Sequence, residues 1–189
     1  MKKILLRSAS PRRRELLAKE GYLFDIAAAD IDETINPMMT PYENVKQLGL
    51  KKALYEREKY SDCILIGCDT IVVLDNQIYG KPKDVKMAFD MLKSLSGKKH
   101  QVMSGVGIVY QQHIYNFVVV SDVYFKDLTD QEIIDYIDIG ECFGKAGSYA
   151  IQGIGKKLID HYEGSLENII GLPIHEVKKV LGELDEMED

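Results

Sequence analysis

Lys3-Ile4-Leu5-Leu6-Arg7, then Ser8-Ala9-Ser10-Pro11, then Arg12-Arg13-Arg14-Glu15-Leu16-Leu17 up to Gly21, reads as strand, tight loop and helix. Pro11 suits the first helical position because its missing amide hydrogen would have no partner there, and Ser10 is placed to cap the free amides behind it. Tyr22 to Ala29 reads as a second strand. Strand, helix and strand in succession open an α/β chain, and the remainder keeps that alternation.

Thr40, Pro41 and Glu43 form a capping box with proline in the first turn, which predicts a long helix carrying Val45, Leu48, Ala53 and Leu54 towards Tyr60. Cys63 to Gly67 is a buried strand and Ile71 to Leu74 continues extended, with Asp75-Asn76-Gln77 turning into Ile78 and Tyr79. From Asp84 to Leu95 the apolar Val85, Ala88, Met91, Leu92 and Leu95 recur at three and four, the period of a helix, and Gly97 lies where it would stop. Between His100 and Phe125 two Val- and Ile-rich stretches flank Gln111-Gln112 and predict a hairpin, the antiparallel part of the sheet. Thr129 and Glu132 cap a further helix to about Ile139. A Gly-rich loop, a strand near Lys157 to His161 and a last helix after Pro173 follow, and the acidic tail beyond Leu184 is expected to fray. The order of elements argues for α/β with a mixed sheet.

Composition narrows the function classes. With 24 Lys plus Arg against 30 Asp plus Glu the net charge is −6, which argues against a general nucleic-acid-binding protein; there is also no Trp and no stacking pattern of aromatics. A chain of 189 residues that is 46% hydrophobic and 29% charged can bury a core, as one domain or as a two-lobed domain, 1–189, that should not be divided. No apolar run approaches a membrane span, and Arg7 interrupts Met1-Lys2-Lys3-Ile4-Leu5-Leu6 before a signal-peptide core could form, so the expectation is a soluble protein that is not exported. Cys63, Cys68 and Cys142 form an odd set without a CxxC pair, which suits a reducing compartment. His100, His113, His161 and His175 are scattered without zinc-ligand spacing.

Chemistry concentrates at a few places. Arg12, Arg13 and Arg14 occupy the first turn of a helix, where the dipole disfavours cations by about 0.3–1 kcal/mol each. That placement makes sense if an anion meets the guanidiniums, the free amides and the Ser8 and Ser10 hydroxyls; the alternative is a solvated basic face paired with Glu15 or Glu20. Neither a P-loop nor a dinucleotide fingerprint is present. Gly67-Cys68-Asp69-Thr70 interrupts an apolar stretch, and a carboxylate there needs a charge partner, hydrogen bonds or a metal; an Asp turning a strand edge is the plainer reading. Lys81 sits in the Gly80-Lys81-Pro82 turn and Lys145 in a flexible Gly-rich loop. Asp30, Asp32 and Glu33 offer the hard oxygen ligands that magnesium or manganese prefer, or form a solvated acidic loop.

Taken in order, Ser8-Ala9-Ser10-Pro11-Arg12-Arg13 with Leu16-Leu17, Glu33, Lys52-Ala53, Gly67-Cys68-Asp69-Thr70, Gly80-Lys81-Pro82, Leu95-Ser96-Gly97 with His100, Lys145-Ala146-Gly147 with Tyr149, Ile151-Gln152-Gly153 and Gly171-Leu172-Pro173 resemble the Maf family of nucleoside triphosphate pyrophosphatases, also called septum formation proteins. The resemblance runs from about Leu5 to Leu181. It implies an inosine triphosphatase-like α/β fold: a long twisted mixed sheet flanked by helices, with two lobes and a central cleft. It also implies cleavage of a nucleoside triphosphate between the α and β phosphates with a divalent cation, Mg2+ or Mn2+. Arg12, Thr70 and Gln152 match the dTTP/UTP branch and would set base specificity. An amide such as Gln152 can match the carbonyl and N–H edge that uracil and thymine share; a loop glutamine bonding backbone is the alternative.

The resemblance makes Asp69 the base that draws a proton from a metal-activated water, and Glu33 with Asp69 the metal ligands. Ser8 would bond a phosphate oxygen, while Arg13, Lys52, Lys81 and Lys145 would neutralise charge on the departing pyrophosphate. A cytoplasmic location and a homodimer are implied in the same way. Several positions depart from the family pattern: Arg7 for a small residue, Cys68 for alanine, Ser104 and Ser121 for threonines, Ala150 for glycine, and Gly144 for an aspartate that would partner Lys145. Arg7 is expected to add a cation near the phosphate site. The competing readings are the same reaction on 7-methyl-GTP or inosine triphosphate, and a regulator of cell division that senses nucleotide without turnover.

Overall fold

The computed structural model describes residues 2–187. β1 (Lys3–Leu6) pairs in parallel with β2 (Phe24–Ile26) on one side and with the first half of β3 (Cys63–Leu74) on the other. Between them run α1 (Pro11–Lys19) and α2 (Pro41–Leu54). β3 turns at Asp75-Asn76, both left-handed, into β4 (Gln77–Tyr79), which pairs antiparallel with its second half. α3 (Val85–Leu95) follows, capped by Asp84, whose side chain accepts from the Met87 amide. β5 (Lys99–Tyr110) and β6 (His113–Phe125) are neighbours joined through Gln111-Gln112, a link short enough only for an antiparallel pair. Then come α4 (Asp130–Asp138), β7 (Ile159–Glu163), which pairs antiparallel with β6, α5 (Leu166–Ile170) and α6 (Ile174–Glu186). The seven strands form one mixed sheet in the order β2-β1-β3-β5-β6-β7, with β4 on β3, so the chain is α/β as its pattern predicts.

The chain divides into two compact units. The first comprises Met1–Asp69, Ser104–Val119 and Gly171–Asp189, the second Thr70–Met103 and Val120–Ile170, and β3, β5 and β6 each run from one into the other. In the first unit α2 lies against the sheet on glycines. A Cβ on Gly105 would collide with the Val45 carbonyl, one on Gly67 with the backbone of Ala53, and one on Gly107 would stand 2.6 Å from the Leu50 Cα. Side chains there would hold the helix off the strands; their absence brings the Lys52-Ala53 backbone down onto Gly67. The second unit has its own core, in which Leu92, Leu95, Val123 and Ile133 are fully enclosed with Phe125 and Tyr149 packed among them.

Several expectations change. β2 is three residues rather than Tyr22 to Ala29. α2 ends at Leu54, not near Tyr60: Glu56 turns left-handed (φ 50) and Arg57–Tyr60 forms a separate 3-10 turn. The Ser10 side chain makes no capping bond; its amide instead donates to Ser8 Oγ at 3.3 Å. β3 is continuous through Gly67-Cys68-Asp69-Thr70, so Asp69 lies inside a strand and not at a break. The strand can pass because a lysine partners the carboxylate, as described below, offsetting the cost of taking it from water. α5 had no periodic signal in so short a run. α6 continues past Leu184 to Glu186; the remainder of the tail expected to fray, residues 188 and 189, lies outside the described residues.

Candidate active site

Two clusters of the expected residues form in the first unit. At the start of α1, Arg13 donates from Nε to the Gly171 carbonyl at 2.7 Å and from Nη1 to Ser8 Oγ at 3.0 Å. Ser8 is buried, and its hydroxyl oxygen accepts from both Arg13 and the Ser10 amide, so it and not Ser10 faces the helix start. The half-buried Arg12 has no ion pair or hydrogen bond among the described residues. Burial and the neighbouring Arg13 charge lower its pKa from the ordinary guanidinium value. Glu20, one of the suggested partners, pairs with Lys178 at 2.5 Å instead. The basic turn is therefore not neutralised by acids of its own helix, which favours the anion reading of the sequence over the solvated face.

The second cluster centres on Lys52, 8% exposed. Its Nζ lies 2.7 Å from Asp69 Oδ1 and 2.7 Å from Glu33 Oε1. Three residues far apart in sequence meet because α2 seats on Gly67, which delivers Lys52 beside the strand that carries Asp69. Of the acidic trio only Glu33 takes part. Asp32 accepts from the Thr34 amide and hydroxyl, which lowers its pKa. Among the described residues no three His, Cys, Asp or Glu converge as a metal site. Two carboxylate oxygens on one cation are nevertheless the donor set a magnesium-type ion uses when substrate phosphates and water complete its shell.

The second unit holds Thr70, Lys81, Lys145 and Gln152. Thr70, half-buried in β3, follows Asp69 directly; Lys81 and Gln152 are exposed, and Lys145 is half-buried. Neither lysine ammonium, nor the Gln152 side-chain amide, bonds another group among the described residues. The loops carrying the lysines are tied by the Gly147 amide, which donates to the Gly80 carbonyl at 3.1 Å. Gly147 is left-handed (φ 67) with Val72 against it, and Gly144 is left-handed (φ 74) in open space. A turn at residue 144 thus favours glycine in place of the family's aspartate.

Arg7 corrects an expectation. It is 1% exposed, donates from Nη2 to the Tyr55 carbonyl at 2.8 Å and lies 5.0 Å from the Tyr60 ring centroid. Period-two alternation puts it on the face of Leu5, in the cluster with Leu54 and Tyr60, so its charge does not join the anion site. The Gly171 carbonyl was the feature sequence reasoning missed. It anchors Arg13 and also accepts from Cys68 Sγ at 3.3 Å, and only the Gly171-Leu172-Pro173 motif hinted at it. In the first unit, hollows of about 410 and 560 Å3 are bordered by Tyr22, Leu23 and Leu181 and by Tyr60, Val109 and Gln112 respectively, and contain none of the candidate residues.

Comparison with known proteins identifies the family. Residues 3–184 match the family model described as Maf-like protein. A dTTP/UTP pyrophosphatase of Clostridioides difficile (strain 630) is 43% identical over 181 residues, covering 94% of this chain and 93% of its own length. One of Caldicellulosiruptor saccharolyticus is 42% identical, covering 97% and 96%. One of Vibrio cholerae serotype O1 is 42% identical, covering 95% and 96%. A family model spanning nearly all the chain and relatives of this identity end to end place it: the chain belongs to the Maf family.

Proposed function

We propose that this protein is a nucleoside triphosphate pyrophosphatase that hydrolyses dTTP and UTP to the monophosphate and pyrophosphate, working as a single two-lobed domain over residues 1–189 with a cleft for the nucleotide. The observation that carries the chemistry is Lys52, held 2.7 Å from both Asp69 and Glu33; the base preference rests on the relatives named as dTTP/UTP pyrophosphatases. Water attacks the α phosphorus, its proton passes to Asp69, the bond between the α phosphorus and the bridging oxygen breaks, and pyrophosphate leaves. Asp69 is suited to this because Lys52 fixes its Oδ1, while Oδ2 accepts no hydrogen bond among the described residues.

Lys52 thereby takes a positioning part beside the charge-neutralising one expected from the family. Arg12, Arg13 and Ser8 receive phosphate oxygens at the helix start, and Lys81 and Lys145 neutralise the departing pyrophosphate. Gln152 meets the carbonyl and N–H edge of the pyrimidine, with Thr70 and Arg12 contributing to base choice. Glu33 and Asp69 would hold a divalent cation, Mg2+ or Mn2+, which when bound supplies positive charge against that gathering on the phosphates. The three buried free thiols suit a cytoplasmic location. A homodimer is the expected assembly, checked by sedimentation.

The test is a panel of nucleotides, UTP, dTTP, 7-methyl-GTP and inosine triphosphate, with magnesium or manganese, reading pyrophosphate separately from phosphate. Pyrophosphate from UTP and dTTP supports the reading; preference for either purine moves the substrate, and single phosphates alone reject the reaction. Nucleotide binding without turnover would instead make the chain a sensor.

A further inference from the structure

The second unit buries a histidine–tyrosine pair that the reaction does not use. His100, 2% exposed, places Nε2 2.6 Å from the Tyr149 hydroxyl. Among the described residues His100 Nδ1 is buried without a hydrogen-bond partner, so the ring's one hydrogen bond there is to Tyr149. The rings meet edge to face, as does each with Phe125, at centroid separations of 4.8 to 5.4 Å. A leucine and a phenylalanine would fill such a core with no polar group to satisfy; a fully enclosed hydrogen bond instead fixes one geometry.

What it fixes is the segment between Lys145 and Gln152. Here Gly147 and Ser148 are left-handed in succession (φ 67 and 66), and for Ser148 that conformation is strained. Tyr149 follows immediately, and the next amide, Ala150, donates to the Tyr136 hydroxyl at 3.4 Å. The backbone turned by Gly147-Ser148 therefore leads directly into a side chain clamped by His100, with Lys145 on one side and Gln152 on the other.

We propose that His100 and Tyr149 are positioning residues, whose hydrogen bond holds the strained Gly147-Ser148 turn so that Lys145 and Gln152 are set for the triphosphate and the base. The inference rests on the roles proposed for Lys145 and Gln152. Burial lowers the His100 pKa to about 4 and raises that of Tyr149, so near neutral pH the bond joins two uncharged groups.

Tyr149→Phe keeps the ring and removes only the hydroxyl. In steady-state assays with UTP and CTP it should raise KM for UTP, lower kcat/KM about tenfold, as expected for one lost hydrogen bond, and narrow the preference for UTP over CTP. A purely structural pair would lower Tm and the active fraction while leaving KM and base preference unchanged, and that result overturns the proposal. His100→Gln, which can still bond the hydroxyl, should retain more of kcat/KM than His100→Leu; equal losses in the two also overturn it. If Tyr149→Phe does not fold, the His100 pair decides. Lys145→Ala and Gln152→Ala are measured alongside. If they impair UTP hydrolysis and Tyr149→Phe does not, the positioning role fails alone; if none of the three matters, the assignments of Lys145 and Gln152 fail and the role built on them falls too.

Discussion

The two units position their chemistry by different means. In the first, charged side chains hold one another: Lys52 bonds Glu33 and Asp69, and Arg13 bonds Ser8 and the Gly171 carbonyl. In the second, Lys81, Lys145 and Gln152 make no such bonds among the described residues, and their placement comes from backbone: the Gly80–Gly147 hydrogen bond, left-handed turns and a clamped tyrosine. The difference teaches where each part should be sensitive. A side-chain network fails when a charge is removed, because the partner is left unpaired in a partly buried site. A backbone-held cation can be removed with little structural consequence, so its loss should register in substrate binding.

The sharpest way to break this contrast is Asp69→Asn. It keeps shape and a hydrogen-bond acceptor for Lys52 but loses the base, so kcat for pyrophosphate release should fall about 100- to 10,000-fold while nucleotide binding measured by calorimetry persists. Full turnover in this variant would remove the first unit's acid from the chemistry.

Acid should then act on the second unit through His100. Its folded pKa of about 4 lies below the ordinary value of 6.5 because burial disfavours the charged ring, with Asp122 opposing weakly. Above pH 6.5 both states are neutral and the stabilisation is complete. As pH falls from 6.5 towards 4 the unfolded chain takes up the proton first, and stability declines by about 3 kcal/mol. Urea titrations at pH 7, 5 and 4 should show the loss, and His100→Gln should flatten it.

Gly105→Ala tests the seat of α2. Its Cβ would meet the Val45 backbone, which cannot rotate away, and we expect a loss of about 1–3 kcal/mol in urea unfolding together with reduced activity as Lys52 is displaced from Asp69. Normal activity with reduced stability would show that Lys52 reaches Asp69 without close seating. The smallest effect belongs to Lys145→Ala, which should raise KM for UTP about tenfold and leave Tm unchanged, the signature of a cation held by backbone. A fall in Tm would show that Lys145 is bound into the fold after all.

Most of the architecture was legible because it rests on local chemistry. The capping boxes at Thr40/Glu43 and Thr129/Glu132 both form as their spacing predicts, and the Gln111-Gln112 turn falls where two β-rich stretches meet. Local reasoning failed where a distant group intervened. Asp69 reads as a strand breaker until Lys52 is placed beside it; the Ser10 cap fails for a local reason, its amide donating to Ser8 Oγ two residues back. Arg7 reads as an added cation near the phosphate site, yet strand alternation turns it onto Tyr60. The resemblance supplied Asp69, Glu33 and Lys52 as separate motifs, without indicating that one ammonium joins them.

By itself the sequence determined the kinds of element, their order and the family, and singled out the candidate residues, since hydrophobic period, capping and motif spacing are properties of short stretches of chain. Only the tertiary structure decided which charges meet. Whether Lys52 faces Asp69 depends on how closely α2 approaches Gly67, and whether Arg7 faces an anion or a tyrosine depends on which side of β1 is covered. Those are contacts between residues far apart in sequence, and their energies arise from desolvation and packing that no single segment contains.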